Sequence, residues 1–365
     1  MTQERGDRPS RTRRAMDTAA HAVRSLGDVR PHPHRRWPLG LQAAIAVAGP
    51  ILIGNAAGHA EIGFQAALGA FALLYFGSAK HVDRARTVPL IGSVLLLCAA
   101  LGAAAGGSAV ATAVGLISIA VAAGLLTQVF DVGPPGPIFF VLVFGSSAHI
   151  TMATDGVRHV DPVSFVGAVA SGVAFASLIA AAPLALSRHR VTATPLRTLV
   201  PGPSWSVDGL TVAIRVAAVA LTGTILSVAI VDPDRAYWTV CAGVAVVAMR
   251  APRRAVASRG LHRVVGTVTG ALLFAGLAQL SLSTVALALV LGVLQFTIEL
   301  LVVRHYALAL TFITPLVLLL VTSAGGTAGS TVAPERVIDT LVGATLGVLA
   351  ALIPAPRRAG NAAPR

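Results

Sequence analysis

Apolar residues in this chain come in long blocks separated by short polar segments. A membrane-spanning helix needs about 20 apolar residues to cross a hydrocarbon core of about 30 Å. The pattern therefore predicts an all-α polytopic membrane protein with about twelve transmembrane helices. The predicted spans are 38–56, 61–77, 88–106, 108–128, 135–152, 162–186, 209–231, 236–250, 264–280, 282–302, 305–323 and 336–354. The second and eighth blocks are short for a full span, so tilted, broken or re-entrant segments are expected there.

The twelve blocks divide into two membrane halves of six helices each. The predicted organisation is a basic, poorly ordered tail at 1–36, a first half at 37–186, a connector at 187–208, a second half at 209–354 and a tail at 355–365. Each half places a carboxylate seven residues after a glycine near the end of its fourth span, Asp131 after Gly124 and Glu299 after Gly292. An even number of spans in each half predicts parallel repeats, related by an axis along the membrane normal.

The positions of the basic residues predict the orientation of these spans. With the N-terminus inside, 24 of the 28 lysines and arginines fall in inner segments, three fall in outer loops, and Arg215 lies within a span. Short cytoplasmic loops carry the excess of lysine and arginine in membrane proteins. We therefore expect a multi-pass protein of the inner (plasma) membrane with both termini in the cytoplasm.

The composition argues against interpreting the strong positive charge as a nucleic-acid-binding surface. The net charge is +13, but hydrophobic residues make up 55% of the chain, charged residues only 12%, and the mean hydropathy is +0.78. This leaves little polar surface for a water-soluble nucleic-acid-binding protein, so no nucleic-acid partner is expected. The most basic run, MRAPRRAVASRGLHRVVGT at 249–267, is predicted to be an inner loop that contacts anionic inner-leaflet lipid. The two cysteines predict neither a disulfide framework nor a metal site.

The second half carries an ordered set of short motifs. Arg215 and the pair Tyr237-Trp238 are followed by R-x-x-x-R-x-x-G-T-x-x-G, and then by R-x-x-D-T-x-x-G in 336–343. The first of these two motifs contains Arg259, Arg263, Gly266, Thr267 and Gly270, and the second contains Arg336, Asp339, Thr340 and Gly343.

With these motifs, roughly 205–355 resembles the fusaric acid resistance protein-like family, which includes bacterial aromatic acid exporters and resembles plant aluminium-activated malate transporters. The resemblance implies an inner-membrane permease for organic anions, acting in efflux. The larger exporters also have a sizeable cytoplasmic domain, whereas the connector here has only about 20 residues.

Six residues are candidates for the substrate path: Arg215, Tyr237, Trp238, Arg259, Arg263 and Thr267. A guanidinium suits a carboxylate because its planar fork donates two parallel hydrogen bonds. Arg215 lies within a span, so it either lines an anion path or extends to the headgroups. Tyr237 and Trp238 are expected at the outer interface, where an aromatic belt is common. The family resemblance adds the alternative that they stack against an aromatic substrate.

Three further residues are candidates for proton coupling or for ion pairs: Glu299, Arg336 and Asp339. Glu299 either forms a structural ion pair, with Arg215 as one candidate partner, or exchanges protons during transport. Arg336 and Asp339 are spaced i, i+3 on one helix face, and a local ion pair is the favoured interpretation.

The resulting functional prediction is secondary active export of organic, aromatic carboxylic acids. The alternative is a passive organic-anion channel resembling the malate transporters. No catalytic residue, metal or cofactor is predicted, because the chain lacks the metalloprotease, nucleotide-binding and hydrolase motifs. A single chain enclosing one pore and a homo-oligomer of packed chains are both compatible with two six-helix halves.

Overall fold

The computed structural model describes residues 11–29, 31, 36–154, 156–189, 191–325 and 332–354. The first half contains α1 Arg11–Ser25, α2 Trp37–Ala56, α3 Ala60–Ala67, α4 His81–Ala105, α5 Ala109–Val129, α6 Ile138–Ile150 and α7 Pro162–Ala181. After α8 Leu196–Leu199 in the connector come α9 Val207–Leu226, α10 Ala236–Val247, α11 Arg253–Ala278, α12 Thr284–Leu301, α13 Tyr306–Gly325 and α14 Val332–Ala350. Short 3₁₀ and π segments extend α3, α7 and α9, and the two-residue strands β1 Ala153–Thr154 and β2 Val157–Arg158 pair antiparallel.

Each predicted apolar block coincides with a helix, but the count of twelve spans is not confirmed. Within the described residues, eight helices are long and apolar enough to cross a membrane: α2, α4, α5, α7, α9, α11, α12 and α13. The second and eighth blocks are short as predicted, since the second forms α3 with its 3₁₀ extension and the eighth forms the 12-residue α10. The helix of the fifth block is also short, because α6 has 13 residues and begins only after the Gly-Pro segment 133–137.

The helices pack in corresponding pairs in the two halves. In the first half, α4 contacts α6 and α7; in the second half, α11 contacts α13 and α14. The first helix of each half packs against the fourth helix of the other, α2 against α12 and α9 against α5. The two halves are thus joined by two matching helix–helix contacts, each between the first helix of one half and the fourth helix of the other.

The basic run 249–267 stabilises the ends of several helices. The sequence predicted a loop over this run, but α11 begins at Arg253, directly after Pro252, so only 248–252 connects α10 to α11. Arg250 donates to the Gln128 carbonyl at 3.1 Å, Arg253 to the Ala351 and Leu352 carbonyls at 3.2 and 3.0 Å, and Arg259 to the Ala245 carbonyl at 2.6 Å. The last carbonyls of a helix have no partner within the helix, and its C-terminal end attracts cations. These arginines therefore cap α5, α14 and α10.

The terminal tails are only partly described. The sequence predicted a poorly ordered tail at 1–36, but residues 11–25 form α1, which packs against α11. Its buried Ala22 provides the apolar contact that stabilises a short helix in a protein. The rest of that tail at 1–10, 30 and 32–35, and the whole predicted tail at 355–365, lie outside the described residues.

Candidate functional site

Residues from the motifs of the second half lie together in one buried cluster, which we call the buried arginine site. It contains Tyr237 and Trp238 from α10, Arg263 from α11, and Arg336, Asp339 and Thr340 from α14. Arg263 and Arg336 are each only 4% exposed, although each carries a full charge. The site lies where α10 and α11 both pack against α14.

Small residues bring α10 and α14 close enough to form this site. A Cβ on Gly343 would lie 2.1 Å from the Thr239 carbonyl oxygen, and one on Gly243 would lie 2.7 Å from the Gly343 carbonyl oxygen. Only glycine permits such a close approach of two helix backbones. This approach places Thr239 against Asp339, whose Oδ1 accepts a 2.9 Å hydrogen bond from the Thr239 hydroxyl.

The predicted ion pair between Arg336 and Asp339 is wrong. No ion pair within 4 Å joins them in the described structure, because Asp339 bonds Thr239 and the Arg336 guanidinium lies 5.0 Å from the centroid of the Trp238 ring. A cation over the face of tryptophan is attracted by the ring quadrupole. The Arg336 guanidinium thus contacts an aromatic ring rather than a carboxylate.

Tyr237 and Trp238 do not form an outer aromatic belt. Each side chain is 2% exposed, and the two rings contact each other with centroids 5.6 Å apart. Because all twelve residues of α10 are buried, its aromatic residues face protein rather than lipid. This burial places them in the candidate site instead.

Arg259 and Arg263 lie one turn apart on α11 and share one aromatic partner, Tyr306. Arg263 Nη1 donates to the Tyr306 hydroxyl at 3.2 Å, and the Arg259 guanidinium lies 4.0 Å from the centroid of the ring. Thr267, one turn beyond Arg263, is 1% exposed. Gly266, which lies between them, packs against the Ala307 carbonyl of α13.

Several hydrogen-bond donors of the site have no partner among the described residues. These buried atoms are Arg336 Nε and Nη1, Arg263 Nε, Tyr237 Oη, Trp238 Nε1 and Thr340 Oγ1. Arg263 and Arg336 are also near enough to repel each other electrostatically. A buried charge or donor without a partner is costly, so such a set fits an anion that accepts hydrogen bonds.

Arg215 and Glu299 lie in two other places. Arg215 is half-buried, donates to the Ile353 carbonyl at 2.8 Å, and lines an open cavity of about 270 Å³ together with Arg250. Glu299 forms a 2.7 Å ion pair with Arg36, so the suggestion of Arg215 as its partner is wrong. The physical reason is the packing of α2 against α12, which brings the residue before α2 next to the end of α12.

Two residues beside Glu299 were not singled out in the sequence. Arg84, 3% exposed, bonds the Gln42 side chain and the Leu73 carbonyl and interacts electrostatically with Glu299. Gln295, which precedes Glu299 by one turn, donates to its Oε1 at 3.5 Å. No signal in the sequence pointed to Arg84, because the third span was predicted at 88–106 and Arg84 was assigned to the segment before it, whereas α4 begins at His81. Glu299 therefore belongs to a structural network between the two halves.

The fold and this site define an all-helical membrane protein whose buried charges are concentrated in its second half. Residues 211–350 match the model of the family described as fusaric acid resistance protein-like, which confirms the predicted resemblance over this segment. The chain is also 32% identical over 108 residues to the "Uncharacterized membrane protein YvaC" of Bacillus subtilis (strain 168). That match covers 30% of this chain and 17% of the relative. No solved structure matches the chain.

Proposed function

We propose that the protein is a permease of the plasma membrane that exports organic carboxylic acids by secondary active transport. The observation that carries this proposal is the pair of buried arginines, Arg263 and Arg336. Among the described residues neither forms an ion pair, and each has a buried donor atom without a partner. A carboxylate there accepts hydrogen bonds from donors that otherwise have none, and it neutralises like charges. The family match supports transport rather than enzyme chemistry.

The aromatic surroundings support an aromatic acid as the substrate. Two guanidiniums lie near the Trp238 ring, with Arg336 at 5.0 Å and Arg235 at 6.0 Å from its centroid. The Tyr237 ring contacts the Trp238 ring, and the Arg259 guanidinium lies over the Tyr306 ring. Rings in such positions stack against a planar substrate while the arginines hold its carboxylate.

The carboxylate that couples transport to protons is Asp339 in this proposal. Asp339 is 1% exposed, accepts from a neutral hydroxyl, and interacts electrostatically with Arg336. Glu299 is the other sequence candidate, but both of its oxygens are engaged by Arg36 and Gln295. A group that exchanges a proton during transport must be free to change its charge beside the substrate.

The proposed orientation places both termini in the cytoplasm. The arginines that cap α5, α10 and α14 come from one basic segment, 250–259. The excess of lysine and arginine on one side of the predicted spans supports this segment being inside. The matching helix contacts of the two halves support an internal duplication.

Uptake of labelled aromatic and dicarboxylic acids into proteoliposomes tests the proposal. We expect accumulation of an aromatic acid that requires an imposed pH gradient. Movement that only follows the anion gradient, with an anion current and no accumulation, would replace the carrier by the channel alternative. If no organic anion moves under either condition, the proposed function is wrong.

A further inference from the structure

Helix α1 has two different faces. Its inner face contains Thr18, Ala22 and Ser25, spaced three and four residues apart, and Ala22 is 5% exposed where α1 packs against α11. The opposite face presents Met16 and Val23, which are 67% and 61% exposed and lie two turns apart, with Ala19 and Ala20 between them. Residues seven apart share one side of a helix, so these residues form an exposed apolar strip.

Specific hydrogen bonds hold α1 in place. The Ser25 hydroxyl lies 3.0 Å from His262 Nε2 on α11. The Leu26 carbonyl, just after α1, accepts a 2.8 Å hydrogen bond from His305 Nε2. The other ring nitrogen of His305 accepts from the Leu308 amide at 3.0 Å, which fixes the tautomer that donates to Leu26. The apolar strip is therefore exposed while the helix itself is anchored.

The charge of this segment complements an anionic surface. Residues 11–25 contain four arginines, Arg11, Arg13, Arg14 and Arg24, against a single acidic residue, Asp17. A helix with an apolar strip and clustered arginines lies in the interface plane of a membrane, where arginines are attracted to an anionic surface.

We infer that α1 is an interfacial helix that docks on anionic lipid, with Met16 and Val23 inserted among the acyl chains and the net positive charge of the segment selecting anionic headgroups. A second protein copy is a poorer occupant, because a strip of two large apolar side chains is far smaller than the roughly 800 Å² that each partner of a stable protein interface buries. The inference holds whether or not the protein transports organic anions.

A fluorescent reporter on the strip tests this inference. Val23→Cys, labelled with an environment-sensitive dye, is reconstituted in nanodiscs of phosphatidylcholine alone or with phosphatidylglycerol. Val157→Cys, 58% exposed in the β1–β2 hairpin, is the matched control, and the native Cys98 and Cys241 are buried. We expect a blue shift at Val23→Cys that grows with the fraction of phosphatidylglycerol, and no such change at Val157→Cys.

The charge requirement gives a second measurement on the same protein. Replacing Arg11, Arg13 and Arg14 together by glutamine should remove the dependence on phosphatidylglycerol while size-exclusion chromatography shows an unchanged fold. Equal emission in both lipid mixtures before this replacement would overturn the inference. A shift that instead depends on protein concentration in detergent would assign the strip to a second copy and would also overturn it.

Discussion

Arginines that look alike in the sequence have two different roles. Arg250, Arg253 and Arg259 donate to carbonyls at helix ends, whereas Arg263 and Arg336 are buried with free donors. Hydropathy and the distribution of lysine and arginine predicted that 249–267 is an inner loop. The family motif singled out Arg259 and Arg263 within it. The sequence could not predict which arginines of the run cap helix ends, because the carbonyls that accept their hydrogen bonds lie up to about 120 residues away along the chain.

The ion-pair partner of Glu299 also could not be predicted from the sequence. The sequence placed this carboxylate at the end of an apolar block and predicted that it needs a partner. Its partner, Arg36, is 263 residues distant along the chain. Only the exchanged packing of α2 against α12 makes them neighbours, and no periodicity in one sequence reveals that packing.

The two candidate coupling carboxylates make distinguishable predictions. Asp339→Asn should abolish accumulation driven by a pH gradient while preserving downhill movement of the anion, because the site keeps its arginines but loses its proton exchange. Glu299→Gln should keep coupling and lower stability by about 1.5–3 kcal/mol, since Arg36 loses a charged hydrogen bond. Proteoliposome uptake and thermal unfolding measure both. Loss of coupling in Glu299→Gln alone would contradict this assignment.

At the scale of elements, apolar block length predicted where helices form. It also predicted that the second and eighth blocks are short, and α3 and α10 are indeed the shortest helices of their halves in the described membrane bundle. Block length could not predict which helices are enclosed by others. The sequence predicted Tyr237 and Trp238 at the lipid interface. Because all of α10 is buried, both lie in the candidate site instead.

The glycine contact between α10 and α14 gives a prediction at this scale. Gly343→Ala should destabilise the protein by about 1–3 kcal/mol and slow transport, because the new methyl group meets the Thr239 carbonyl and separates Thr239 from Asp339. Gly276→Ala on α11 is the control, since a Cβ there meets nothing within 4 Å. Thermal unfolding of the purified variants measures the difference. A Gly343→Ala protein as stable as Gly276→Ala would contradict the proposed close packing.

At the scale of the whole molecule, composition predicted a polytopic membrane protein. The motifs predicted a resemblance over roughly 205–355 to the fusaric acid resistance protein-like family, whose model matches 211–350. The paired contacts α2–α12 and α9–α5 join the halves, so the chain forms one bundle rather than two separate units. The number of spans was harder to predict, because α14 has 19 residues but carries Glu335, Arg336 and Asp339. It is therefore not among the eight described helices that are long and apolar enough to cross a membrane.

The central claim is that Arg263 and Arg336 bind the transported carboxylate. Its most direct test is the initial rate of aromatic acid uptake by proteoliposomes containing Arg336→Gln or Arg263→Gln, with Arg158→Gln as the control. Arg158 is half-buried and donates to the Ala103 carbonyl at 3.0 Å, remote from the site. Each site variant loses a charged hydrogen bond of about 1.5–3 kcal/mol, so we predict uptake at least about tenfold slower, and unchanged uptake for Arg158→Gln. Folded Arg336→Gln and Arg263→Gln proteins that transport at the wild-type rate would contradict the claim.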